Sequence, residues 1–145
     1  MLLIGAAVLA ACSTQPAPHD HGSAAPATAA APPLFDDLGR YHRPITTRSP
    51  KAQAYFDQGL RLVYGFNHYE AQAAFREAAR LDPTCAMCAW GVALTYGSNY
   101  NSPTDAERER GALTAVSQAR TLAAMAATDR ERALIAALAT RHSAS

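Results

Sequence analysis

Between residues 52 and 81 apolar side chains return every three or four positions, the repeat of helices that each bury one face. Ala52, Tyr55, Phe56, Gly59, Leu60, Val63 and Phe66 form a first stripe; Ala71, Ala74, Phe75, Ala78 and Leu81 form a second. Ser49-Pro50 marks the first start, with Ser as N-cap and Pro at the first helical position. Gly65 and Asn67 separate the stripes, and Asn67 with Glu70 three residues on reads as a variant capping box. Asp82-Pro83 is expected to stop the second helix and open a third, since Asp caps and Pro suits a first turn.

The same period continues, more loosely, to the C-terminus. Trp90, Ala93 and Leu94 extend the third helix until Gly97, and residues 98–102 read as a loop. Ser102-Pro103 repeats the Ser-Pro start, ahead of a long stripe of Ala112, Leu113, Val116, Ala119 and Ala123. Thr128 and Glu131 form a capping box before Ala133, Leu134, Ala137 and Leu138. Alanine is abundant while Val and Ile are sparse, so the expected fold is all-α, occupying residues 49–145.

Upstream the pattern changes three times. Residues 1–11 are continuously apolar but too short to span a bilayer, which suits a signal-peptide core. Leu9-Ala10-Ala11-Cys12 resembles the bacterial lipobox, and the resemblance implies a signal spanning residues 1–12 and lipidation of Cys12. Ser13 in place of Asp implies the outer membrane, on its periplasmic face, rather than retention at the inner one. No Lys or Arg precedes the apolar run, which leaves open a plain secretory signal or a start further upstream. Residues 13–33 are rich in Pro, Ala, Ser and Thr and cannot bury enough surface to order themselves, so a disordered spacer is expected. His19-Asp20-His21 within it is a solvated segment or a weak divalent-metal binder. Residues 34–48 regain Leu34, Phe35, Leu38, Tyr41 and Ile45, and Pro44 disfavours helix. They are expected to form an irregular arm whose apolar side chains cover the first face of the helical body.

The stretch from residue 55 to 83 resembles a tetratricopeptide repeat, a helix–turn–helix unit of about 34 residues. Gly59 stands at the small position where the two helices meet; Ala71, Phe75 and Ala78 follow the second helix, and Pro83 is the closing proline. Tyr55 and Leu62 stand where the family prefers Trp and Tyr, and Trp90 fits the large aromatic of a second unit. Gln58 takes a position usually held by Leu, so that contact should be weakened or turned outward. The resemblance implies a solenoid of stacked antiparallel helical hairpins that binds a protein or peptide partner. The unit opening at Thr128 lacks a second helix, so the chain is expected to be the N-terminal piece of a longer array.

Composition and chemistry narrow the function less. A net charge of +1 gives no electrostatic footprint for nucleic acid, and the membrane is engaged through the lipid anchor alone. Cys85 and Cys88 have the spacing of a small disulfide, of a dithiol oxidoreductase or of part of a metal site. Ala89 follows where covalent haem attachment needs His, and zinc would need a second pair of ligands, so no cofactor or metal is expected. Asn67, His68, Asn99, Tyr100 and Asn101 occupy equivalent turns, with His42 of the arm in reach, and form either a ligand-binding edge or ordinary caps and turn formers. Glu107-Arg108-Glu109-Arg110 and Asp129-Arg130-Glu131-Arg132 read as solvated helix starts. No nucleophile elbow or Gly-rich phosphate loop occurs, so no catalytic residue is assigned. The sequence therefore points to an exported, lipid-anchored interaction module. A thiol redox or small-ligand-binding protein is the alternative.

Overall fold

The computed structural model describes residues 30–97 and 105–142. They form five helices and no strand: α1 (Pro50–Tyr64), α2 (His68–Leu81), α3 (Ala86–Tyr96), α4 (Ala106–Ala126) and α5 (Asp129–Ala139). None is long and apolar enough to cross a membrane. The apolar leader, Cys12, the spacer with His19-Asp20-His21, and the loop with Asn99, Tyr100, Asn101 and Ser102-Pro103 lie outside the described residues.

Two helix starts are capped as the sequence predicts. Ser49 Oγ accepts from the Ala52 amide with Pro50 beside it, and Thr128 and Glu131 exchange both bonds of a capping box. Three differ. Asn67 precedes α2 but its side chain makes no capping bond. Helix α3 opens at Ala86 rather than at Pro83, because the Asp82 carboxylate is taken by the Thr84 amide and hydroxyl in a local turn. Asp82 instead closes α2, and Cys85 caps α3, its Sγ accepting from the Cys88 amide. Helix α4 is capped by Asp105, which accepts from the amides of Glu107 and Arg108.

Helices adjacent in sequence pack on one another throughout, and α3 also touches α1 and α5. That central place explains why α3 is buried on nearly every side. Phe75 of α2 has no exposed surface and meets the Phe56 ring at 5.5 Å. Glycines on the two flanking helices, Gly59 of α1 and Gly91 of α3, give its ring room. Trp90 lies in the core and donates from Nε1 to the Leu134 carbonyl, which fixes α3 to α5. The other residues of the repeat resemblance, Tyr55, Leu62, Ala71 and Ala78, are buried, while Pro83 is exposed.

The arm has no helix or strand, but its attachment differs from expectation. Leu38 and Ile45 pack against the core, whereas Leu34, Phe35 and Tyr41 remain 47, 42 and 51 % exposed. Buried polar side chains of the helices hold the arm instead. Gln58 is only 2 % exposed, and it is not turned outward. Its Oε1 accepts from the Phe35 amide and its Nε2 donates to the Pro33 carbonyl, so the buried amide is satisfied by two bonds to the arm. Asp57 accepts from the Arg43 amide and pairs with His42 Nδ1 at 2.6 Å, and Gln53 binds the arm at Arg43 and Ile45. The far end of the arm reaches α2 through Thr47 and Asp82, and α5 through Thr46 and Glu131.

Candidate functional site

The turn between α1 and α2 carries the first candidate. The amides of Phe66 and Asn67 donate back to the carbonyls of Val63 and Leu62, closing α1 in a tight reversal. This geometry puts Phe66, not Gly65, in the left-handed region at φ 60°, a costly conformation for an aromatic residue. Its exposed ring stands edge-on to His68, the first residue of α2, with centroids 6.4 Å apart. Both ring nitrogens of His68 are buried without a hydrogen-bond partner. Burial, and secondarily the positive charge of Arg108, lower its pKa below the ordinary 6.5 and so favour the neutral ring.

One helical turn further on, Gln72 donates to Thr95 Oγ1, which places this edge of α2 against the C-terminal end of α3. Arg108 of α4 comes to the same place, its Nη2 bonding the carbonyls of Thr95 and Tyr96. Next to it Glu109 pairs with His142 Nδ1 at 3.2 Å, and the His142 side chain is 2 % exposed. Of the edge residues named from sequence, Asn67 and His68 are thus adjacent, and Asn99, Tyr100 and Asn101 lie outside the described residues. His42 does not join them, because its partner is Asp57 on α1. Sequence reasoning does not find Arg108 or His142. Arg108 sits in an alternating charge run that resembles a solvated face, and His142 follows the last periodic stripe.

The second candidate is the cysteine pair. Cys85 and Cys88 form a disulfide with their Cα atoms 5.3 Å apart, and both residues are buried in the core cluster. Thiol–disulfide exchange needs an attacking thiolate to reach a sulfur, and this burial withholds both. The bridge closes a loop with a sequence separation of only three, so chain entropy assigns it about 2 kcal/mol. Replacing both cysteines by Ala should lower stability in urea by roughly that amount, and the native chain should show no insulin-reduction activity. Loss of folding in the double variant, or rapid insulin reduction, would contradict a small structural staple.

A third feature is a hollow of about 800 Å³ beside α3 and α4, bordered by Arg76, Tyr96, Arg108 and Arg110 with Asp105 and Glu107. Arg76 donates to the Tyr96 hydroxyl across it, and Gly111 leaves space for the Tyr96 ring. Its size falls in the range of small-molecule sites, and its walls carry both signs of charge. No group of three or more metal-ligating side chains gathers among the described residues. No protein-family model, curated protein or solved structure matches the chain.

Proposed function

We propose that the chain is an exported, lipid-anchored module that presents a tetratricopeptide-like helical body to a protein or peptide partner on the periplasmic side of a bacterial envelope. The observation that carries this reading is the order of packing: each helix lies on the next in sequence, with Phe75 seated between glycines of the helices on either side. Chain-order packing of this kind is how repeat arrays build a continuous core, and it supports a stacked arrangement of the hairpins. The hollow lined by Arg76, Tyr96, Arg108 and Arg110 offers the partner a mixed-charge seat. The lipobox-like Leu9-Ala10-Ala11-Cys12 and the Pro/Ala-rich spacer support anchorage. A lipid at Cys12 would hold the body to the bilayer without crossing it.

Labelling cells with radioactive palmitate tests the anchor. The wild-type chain should take up label and fractionate with membranes, while Cys12→Ala should lose both. Unlabelled wild-type protein, or unchanged membrane fractionation of the variant, would overturn the reading. The alternative of thiol exchange at Cys85 and Cys88 has less support, because both residues are buried in the core.

A further inference from the structure

The arm is held through its main chain. Among the described residues seven hydrogen bonds join side chains of α1 to backbone atoms of residues 32–45, against one, from His42, that uses an arm side chain. Two glutamines make these bonds in the same way. Gln58 donates to the Pro33 carbonyl at 2.9 Å and accepts from the Phe35 amide at 2.8 Å. Gln53 donates to the Arg43 carbonyl at 2.9 Å and accepts from the Ile45 amide at 3.1 Å. Each time the carbonyl and the amide belong to residues two apart, which lie along one edge of an extended chain. A side-chain amide carries both donor and acceptor, so it matches that edge as a neighbouring strand would. The middle residue of the second triplet is Pro44, and the clamp needs no N–H there. Asp57 and Glu131 lengthen this second clamp by accepting from the amides of Arg43 and Thr46. Gln53 Nε2 also donates to Asp57, which fixes the two readers to each other.

We propose that this face of α1, with Glu131 of α5, is a binding site for an extended segment of a partner protein, and that the arm is its intramolecular occupant. Recognition through the main chain asks little of the bound sequence. Leu34, Phe35 and Tyr41 stay largely outside, while Leu38 and Ile45 pack against the core. The site therefore selects an extended backbone, an N–H at the positions of Phe35 and Ile45, and an apolar side chain at the latter. A hollow of about 410 Å³, bordered by residues 41–46 of the arm and by Thr128, Arg130 and Glu131, lies beside the second clamp and gives an incoming chain access to it. The arm has neither helix nor strand of its own, so it can open without loss of helical structure. While closed it competes with the partner, and it lowers the apparent affinity by the fraction of chains in which it is open. The inference rests on the reading of the body as a partner-binding module, but not on the lipid anchor or on the hollow at Arg76. Its failure would leave the palmitate test and that hollow untouched.

The test uses the full chain and a fluorescent synthetic peptide with the sequence of residues 31–48. His42→Ala removes the arm's side-chain bond to Asp57 and leaves α1 unchanged, so the intramolecular competitor is weakened. This variant should bind the peptide saturably and about tenfold more tightly than wild type, the worth of one hydrogen bond to a charged group. The Thr46 amide of the chain itself should then exchange faster, because the displaced arm is exposed. A peptide with Ala in place of Leu34, Phe35 and Tyr41 should bind within about threefold of the parent, as expected for side chains left at the surface. A peptide N-methylated at the positions of Phe35 and Ile45 loses both clamp amides and should bind at least about tenfold more weakly. No binding to His42→Ala, undiminished binding of the N-methylated peptide, or unchanged exchange at Thr46 would overturn the proposal. A peptide-free chain that sediments as a dimer, and that the peptide dissociates, would overturn it in favour of arm exchange between two copies.

Discussion

Gly91→Ala is expected to destabilise the body by about 3 kcal/mol, the upper part of the range for overpacking a core. A Cβ at position 91 would lie 2.3 Å from Cδ1 of Phe75 and 2.6 Å from Cγ and Cε1. These are atoms of a rigid ring, and the ring has no free side toward which to move. On its other flank a Cβ at Gly59 would stand 2.6 to 2.7 Å from the same ring. Alanine ordinarily gains about 1 kcal/mol over glycine inside a helix. That gain is too small to offset the clash, so a Gly→Ala change that stabilises most helices should reverse sign here. Phe75→Ala alone should cost about 3–5 kcal/mol through the cavity it leaves. In the double variant the methyl group added at position 91 enters space the ring has vacated, so the two losses should fall short of additive by at least about 1 kcal/mol. Urea unfolding of the four proteins measures this coupling. Additive losses, or a Gly91→Ala variant as stable as wild type, would show that the ring does not lie between the two glycines.

This contact also shows what the sequence could and could not disclose. Helix α1, the end of α3 and the start of α5 are legible because their signals are local: Ser49-Pro50, Gly97 and the Thr128–Glu131 pair act within one turn of themselves. Gly59 and Phe75 are legible through a spacing shared with a known repeat. Gly91 is not, since its role depends on a ring that arrives from another helix. The start of α3 escapes the sequence for a related reason. Asp82 has the chemistry of an N-cap, yet its carboxylate is shared between Thr84 in its own turn and Thr47 of the arm. Gln58, Asp57 and Glu131 form the largest gap. In sequence they are polar residues on amphipathic helices, and only the folded arm reveals them as its buried attachment points. The candidate site divides in the same way: His68 follows from turn chemistry, whereas Arg108 and His142 are brought to it by tertiary packing alone.

Glu131→Ala should be the most damaging single change at the arm, costing about 3–4 kcal/mol, since the carboxylate accepts several bonds at once and hydrogen bonds to a charged group are the strong ones. One carboxylate oxygen accepts from the Thr46 amide at 2.6 Å. The other accepts from the Thr46 hydroxyl at 2.6 Å and from the Thr128 amide at 2.8 Å. Removing it therefore detaches the arm from α5 and takes away one of the two bonds of that helix's capping box in one step. Glu131→Gln keeps the shape but turns an amino group toward donors, and should cost about 2 kcal/mol; Thr46→Val loses only the hydroxyl bond, about 1 kcal/mol. Acid should reproduce part of the effect. Burial alone would raise the pKa of Glu131, but the bonds from Thr46 and Thr128 outweigh it and hold the carboxyl below its ordinary 4.5. Asp82 behaves alike: burial opposes ionisation, and bonds from Thr47, Thr84 and Arg48 keep it below 3.8. In both cases the unfolded chain binds the proton more tightly than the folded one. Their stabilisation is thus complete above the unfolded values and drains away as pH falls below about 4.5, toward the lower folded values. Urea midpoints measured from about pH 6 down to about pH 3 should fall less steeply for Glu131→Gln than for wild type, because one of the linked carboxyls is gone. Equal slopes would mean that the arm is not held to α5 by this carboxylate. Hydrogen exchange at the Thr46 amide gives an independent check, since that amide should lose protection in Glu131→Ala even where the helical core stays folded.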